Sequence, residues 1–254
     1  MFIHYRSQGF ILGKEERAEA NQLFTVFTKD FGKLEILGKA IRKISSKLKS
    51  GAEIFYLSEI EFIQGKIYKT LTDAILIEKF QNLRKSLNKL NIAYKISETL
   101  DDFIKGQEPD EKIWQLLKEI FYKLDDNKLE IENCCVGTVG KLKIIYHYFF
   151  WNLISILGYK PEIYVCPLCQ KKLKPENLHF SEKEGGIVCQ NCSKSLKSAT
   201  QIEPEIVKIL RVILSKNWKI LLKLNIENKH LKSLNAISKN YSLYILGKNK
   251  QLIN

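Results

Sequence analysis

The first eighty residues alternate apolar and polar positions with a period near two, and most of the rest, outside a four-cysteine stretch, follows a helical period. Phe10-Ile11-Leu12 ends a first candidate strand. Leu23–Thr28 is aromatic and β-branched, and Lys29-Asp30-Phe31-Gly32 turns it into a third strand over 33–37. Ile54–Ile63 alternates with Tyr56, Ile60 and Phe62 on one face, and Gln64-Gly65-Lys66 leads it into 67–77. Five strands with their longest gap between the third and fourth fit a small Greek-key barrel of the OB type, with an SH3-like barrel as the competing arrangement.

From Phe80 the spacing of Leu83, Leu87, Leu90 and Tyr94 predicts a helix with those residues on its apolar face. Leu100, Phe103 and Ile104 extend it or begin the next. Pro109-Asp110-Glu111 opens a second helix whose face is Ile113, Trp114, Leu117, Ile120, Phe121 and Leu124. A third, roughly 142–157, is apolar nearly all round and should be a buried central helix, stopped by Gly158 with Pro161 beyond. Pro204 opens a helix through Ile206, Ile209, Leu210, Ile213 and Leu214, and 218–224 and 231–246 are further amphipathic segments. Trp114 and Trp151 read as core, as do the adjacent Cys134 and Cys135.

Between these helical parts lie Cys166-Pro167-Leu168-Cys169 and Cys189-Gln190-Asn191-Cys192. Each CxxC can aim two sulfurs at one point, and two such turns supply the four soft ligands of a closed tetrahedral zinc site. Such a site has no open position, so one structural Zn2+ per chain is expected. The residues between, with Pro175 and Gly185-Gly186, suit a hairpin-like loop. His179 lies inside it but is surplus to four ligands. The fold expected is thus α+β and multidomain: a five-stranded barrel over residues 1–80, an all-α helical domain over 81–162 and 200–254, and an inserted four-cysteine zinc-binding module over 163–199.

The net charge of +13 changes this picture through its distribution. Residues 81–164 are balanced, whereas both ends of the chain are basic. The gap between the third and fourth strands carries Lys39, Arg42, Lys43, Lys47 and Lys49 with no acid among them, where a small barrel has its binding edge. With Lys33 on the preceding strand these form the candidate DNA-binding set. The polar N-terminus predicts no export signal, and no apolar run reaches the length of a membrane span, so the expectation is a soluble cytoplasmic protein with reduced cysteines. Gly32–Lys39 fails as a P-loop: five residues separate the glycines and Ala40 replaces Ser or Thr. There is no HExxH, no GxSxG and no HxE with PCxxC, and His4, His147, His179 and His230 are scattered. No catalytic residue is predicted, and the protein is expected not to be an enzyme.

Leu23–Lys33, Gly38–Lys43 and Ser46-Lys47-Leu48 resemble the N-terminal part of the RecO family of bacterial DNA repair proteins. Tyr68–Ala74, Leu157–Pro161 leading into the first CxxC, and Phe180-Ser181 with Gly185-Gly186 before the second resemble it in the same order. Ile41 and Ile44 depart from the family, which often has smaller residues or proline there. The resemblance implies an OB-fold, a helical domain and a zinc module in a recombination mediator that needs no nucleotide cofactor. Such a protein binds single- and double-stranded DNA and anneals complementary strands. With RecR, and often RecF, it helps load RecA on DNA covered by single-strand-binding protein. The resemblance also implies binding to the acidic, apolar-tipped C-terminal tail of single-strand-binding protein. Residues 201–254 have a matching composition: Ile209, Ile213, Trp218 and Leu222 interleave with Lys208, Arg211, Lys216, Lys219 and Lys223. For those individual residues an ordinary amphipathic helix with a solvated basic face is the simpler account. Taken without the resemblance, an RNA-binding or translation-associated protein built from a barrel and a zinc ribbon is the alternative.

Overall fold

Strands β1 (His4–Arg17), β2 (Asn21–Thr28), β3 (Gly32–Gly38), β4 (Leu57–Ile63) and β5 (Lys69–Glu78) close into a barrel in the order β1-β2-β3-β5-β4. β1 pairs with both β2 and β4, and only the β3–β5 pair is parallel. That order is the OB-type closure, and it removes the sheet edges that an open five-stranded sheet would leave unpaired. The computed structural model describes residues 3–44, 46–126, 138–196, 198–224 and 226–248; Cys134 and Cys135 lie outside the described residues.

Alternate residues of the strands fill the barrel: Ile11, Phe24, Val26, Leu34, Ile36, Ile60, Phe62, Leu71 and Ala74 are all buried. β1 runs five residues past the expected end at Leu12. Its register shifts between Ile11 and Gly13, after which Lys14–Arg17 still pair with Phe24–Asn21. Those last residues are solvated, so the hydrophobic alternation fades while the hydrogen-bonded ladder continues.

The chain divides into two compact units, 1–127 and 128–254. The first therefore holds the barrel together with α1 (Gln81–Lys85), α2 (Leu87–Phe103) and α3 (Glu111–Asp125). Phe10 explains why: its neighbour Ile11 points inward, yet Phe10 is also fully buried, against Phe80, Trp114 and Phe121 at centroid distances of 6.1, 5.1 and 5.0 Å. β1 is apolar on both faces, and the helices cover its outer one. Asp110 caps α3 by accepting from the backbone N–H of Lys112 and Ile113, and the expected apolar face of α3 is buried throughout. The face expected for the preceding helix is different in the structure. Leu83 is buried, but the helix breaks at Ser86 and resumes with Leu87 exposed; the buried face of α2 is Lys89, Ile92, Ala93, Ile96, Thr99 and Leu100. Lys89 is accommodated by the reach of its Nζ to the Asp126 carbonyl at 3.4 Å.

In the second unit α4 (Thr138–Ile156) packs against α6 (Pro204–Leu214) and α8 (Asn228–Ile245), with the short helix α7 (Trp218–Leu221) between α6 and α8 in the chain. α4 is buried nearly all round from Leu142 onward, as its composition predicts. Between α4 and α6 the chain makes a three-stranded sheet of β6 (Leu178–Ser181), β7 (Gly186–Val188) and β8 (Thr200–Ile202), in the order β7-β6-β8. The short helix α5 (Gln190–Ser193) lies between β7 and β8. Phe180 of β6 anchors this sheet on the helices through Trp151 at 5.9 Å and Tyr241 at 5.4 Å, both edge-on. A side chain at Gly186 would put its Cβ 2.4 Å from the Glu162 carbonyl oxygen, so only glycine lets the sheet meet the segment that leads into the first CxxC. Among the described residues no helix is long and apolar enough to cross a membrane.

On the barrel's outer face Glu61 accepts from Arg6, His4 and Thr72 at 2.6, 2.8 and 3.0 Å. The Arg6 hydrogen bond first, then those from His4 and Thr72, lower its carboxyl from about 4.5 to about 2. A depressed folded-state value stabilises the fold above the unfolded value, and that contribution is lost as pH falls from about 4.5 through about 2. The stability gap between the wild type and Glu61→Gln, measured by urea unfolding, is expected to be widest near neutrality and to shrink across that window.

Candidate metal centre and nucleic-acid interface

Two short backbone turns aim the cysteines. In the first, the chain folds back on itself through the Val165–Lys172 bridge; Cys166 N–H donates to the Lys171 carbonyl at 2.9 Å, and Gln170 N–H to the Cys166 carbonyl at 2.8 Å. Gln170 takes a φ of +58° to complete this turn. In the second, Cys189 precedes α5 and its carbonyl accepts from Ser193 N–H at 3.0 Å, while the Cys192 carbonyl accepts from Ser195 N–H at 3.2 Å. All four sulfurs, from Cys166, Cys169, Cys189 and Cys192, lie within 4.8 Å of one another.

The spacing identifies what this set can hold. A disulfide needs sulfurs about 2.05 Å apart, and all four cysteines are free thiols, with Cys169 and Cys189 sulfurs 3.8 Å apart. Four ligands around a tetrahedral metal at about 2.3 Å require sulfurs about 3.8 Å apart. Two of the thiols, Cys166 and Cys192, are shifted in opposite directions. Burial would raise the Cys166 thiol, but hydrogen bonds from the backbone of Cys189, Cys169 and Leu168 bring it down to about 6. The Cys192 thiol is pushed up to about 12 by its hydrogen bond to Cys189, then by burial and by its other two neighbours. A dication held by the four sulfurs would stabilise them as thiolates. His179 stays outside the set, its Nδ1 3.1 Å from the Asn177 carbonyl oxygen.

In the first unit, the segment between β3 and β4 is pinned at two apolar points. Ile41 is buried in the barrel core and Leu48, in a single 3-10 turn over Lys47–Ser50, packs partly buried against it. Ala40 N–H donates to Asn21 Oδ1 at 2.8 Å and Arg42 N–H to the Ala20 carbonyl at 3.1 Å. Gly51 lies so close to β5 that an added Cβ would sit 1.9 Å from the Ala74 carbonyl oxygen. Held this way, the segment presents Lys39, Arg42, Lys43, Lys47 and Lys49 to solvent. Arg42 reaches Glu16 at 3.2 Å, whereas the four lysines have no ion pair among the described residues. Lys33 is not brought to this surface. Its Nζ lies 2.6 Å from Asp101 Oδ1, and its side chain is only 13% exposed.

The residues of 201–254 with a peptide-binding composition do not line an apolar groove, in keeping with an ordinary amphipathic helix. Ile209 and Ile213 are buried in the helical core, and Trp218 packs on Tyr148 with ring centroids 4.3 Å apart. Arg211 is also engaged: its Nε and Nη2 donate to the Ile163 carbonyl at 3.2 and 2.8 Å, and its guanidinium lies over the ring of Tyr164. Tyr164 is absent from the set that the sequence suggests. Its place, two residues before Cys166 on a basic hairpin, is the signal that marks it.

Two family descriptions match the chain: Recombination protein O N terminal over residues 1–80 and Recombination protein O C terminal over residues 84–252. They meet where the barrel ends. Among curated proteins, the DNA repair protein RecO of Dehalococcoides mccartyi is 30% identical over 230 residues, covering 91% of this chain and 86% of the relative. The DNA repair protein RecO of Caldanaerobacter subterraneus is 26% identical over 222 residues, 87% of this chain and 84% of that one. That of Acetivibrio thermocellus is 25% identical over 249 residues, 97% and 93%.

Proposed function

The chain belongs to the recombination protein O family, and from that premise we propose that it is a non-enzymatic recombination mediator in DNA repair. In this reading it binds single- and double-stranded DNA, anneals complementary strands, and acts in the cytoplasm with RecR, and with RecF where present, to help load RecA on DNA covered by single-strand-binding protein. The four cysteines hold one structural zinc. The observation that supports DNA binding most directly is the pinned segment with its five exposed cations. Ile41 and Leu48 fix where the charges stand, and exposed lysines without carboxylate partners can displace the counterions condensed on DNA phosphates at little desolvation cost. Interactions of this kind position a strand without reading bases, as annealing of arbitrary sequences requires.

Binding to the acidic tail of single-strand-binding protein belongs to the same reading, with the second unit as its seat. There α6 and α8 turn Lys208, Lys232 and Lys239 outward over a buried apolar core.

An annealing assay with complementary fluorescent oligonucleotides, run without nucleotide, tests the function as a whole. The protein is expected to speed duplex formation well above the spontaneous rate, and to bind single-stranded DNA in preference to structured RNA in direct competition. No acceleration, together with preferred binding of the RNA, would transfer the reading to an RNA-associated role.

A further inference from the structure

Tyr164 is built into an unusual position. It lies on the edge of the hairpin that carries the first metal-ligand pair, with its carbonyl accepting from Leu173 N–H at 3.1 Å. Its own N–H donates to Glu162 Oε1 at 2.8 Å, and Val165 N–H to the same oxygen at 3.2 Å. The backbone beneath the ring is therefore fixed from both sides. Arg211, held by its two hydrogen bonds to the Ile163 carbonyl, places its guanidinium carbon 4.8 Å from the centre of the ring. With one face covered, Tyr164 is still 55% exposed. Arg211 thus orients the ring from behind and leaves its other face in water.

The surroundings indicate what that face receives. Lys171, Lys172 and Lys174 stand exposed on the returning arm of the same hairpin, and Lys160 is exposed on the segment leading into it. None of these four lysines has an ion pair among the described residues. An exposed aromatic face on a hairpin that also carries exposed lysines matches a strand of bases on a phosphate backbone. The ring stacks one base, the lysines meet phosphates, and the guanidinium behind the ring lends it a fixed positive field. A base inside a duplex has both faces occupied and cannot stack there.

We propose that Tyr164, backed by Arg211, is a stacking platform for an unpaired base, making the hairpin of the four-cysteine module a second, single-strand-specific DNA surface. This rests on the DNA-binding reading of the family and adds to it a site for unpaired bases outside the barrel.

The test uses the full-length, metal-loaded chain and fluorescein-labelled oligothymidylate. Tyr164→Leu is expected to bind the single strand about tenfold more weakly, the size of one base–aromatic stack. Tyr164→Phe should bind like the wild type, which also shows that the position tolerates replacement. Affinity for a duplex of the same length should stay within about twofold, because its bases cannot reach the ring. The salt dependence of Tyr164→Leu should keep the wild-type slope, since every phosphate-binding cation is still present, while Lys171→Glu with Lys172→Glu should flatten it. Oligothymidylate carrying 5-iododeoxyuridine should photo-crosslink to Tyr164 in the wild type. Equal single-strand affinity in Tyr164→Leu, an equal loss for duplex, or crosslinks confined to residues 39–49 would each overturn the platform while leaving the protein a DNA binder. An acidic peptide of matched charge that binds with the same dependence on Tyr164 would make this a protein-docking surface and overturn it too. A wild type that binds neither strand nor duplex would instead remove the family-based reading on which the platform rests.

Discussion

Protein purified without added metal is expected to contain about one zinc per chain, and removal of that zinc should unfold the four-cysteine module. The expected size follows from what holds the segment. The apolar side chains of its sheet, Leu178, Phe180, Ile187 and Val188, are buried, but Phe180 is buried against Trp151 and Tyr241 of the helices. The two cysteine turns have less support: Cys166 is buried, but Leu168 is exposed and Cys169, Cys189 and Cys192 are only partly covered. Metal ligation is then the main interaction closing the two turns on each other, and structural zinc contributes on the order of 10 kcal/mol to small domains of this kind. A strong chelator, or Cys169→Ser, should release the metal and expose the module to proteolysis between residues 165 and 197, with the barrel unit still melting cooperatively. Elemental analysis, limited proteolysis and thermal unfolding read the three parts separately. A wild-type protein that is metal-free and still protected through this segment would show that the sulfurs come together without zinc.

The same contrast between local and distant causes separates what the sequence reveals from what it hides. Four cysteines in two CxxC pairs are legible because the coordination chemistry is local: the ligands announce the site before the fold is known, and the structure places their sulfurs at metal-ligand spacing. Five strands are legible because a half-buried strand must alternate. The choice between an OB-type and an SH3-like barrel depends on the parallel β3–β5 pairing, a long-range fact with no period of its own. The phase of α2 differs from its sequence expectation for a related reason. Leu87 fits a helical period with Leu83 but follows a break at Ser86 and faces water, while Lys89 is buried because a carbonyl 37 residues away receives its ammonium. The partner of α1–α3 is not legible either. Their apolar faces are plain in the sequence, but that they cover Phe10 of β1 depends on a strand being apolar on both sides. Among the candidate site residues, Lys33 reads as one more cation beside the basic segment until Asp101, 68 residues on, is seen to hold it. The place of Tyr164 just before Cys166 can be read in the sequence, but the guanidinium of Arg211 on its ring cannot.

Replacing Lys39, Lys43, Lys47 and Lys49 together by Glu is expected to remove most of the barrel's affinity for DNA. These four are the exposed cations of the pinned segment that have no carboxylate partner, whereas Arg42 is already shared with Glu16 at 3.2 Å and Lys33 with Asp101. Each phosphate that is no longer neutralised lowers the slope of log affinity against log salt by roughly 0.7 for a single strand and 0.9 for a duplex. Four such phosphates therefore flatten it by about 3, and charge reversal adds repulsion where there was attraction. The effect should be alike for any base sequence, because these side chains meet phosphate and not base edges. It should also leave folding intact, since the anchors of the segment are Ile41 and Leu48 and the lysine heads lie in water. Lys33→Glu serves as the comparison. It should destabilise the barrel unit by placing a second carboxylate beside Asp101, yet leave the salt slope of DNA binding where it was. If the fourfold variant kept the wild-type slope, the phosphate-binding cations would have to lie elsewhere on the chain, and the basic hairpin around Tyr164 would be the next surface to reverse.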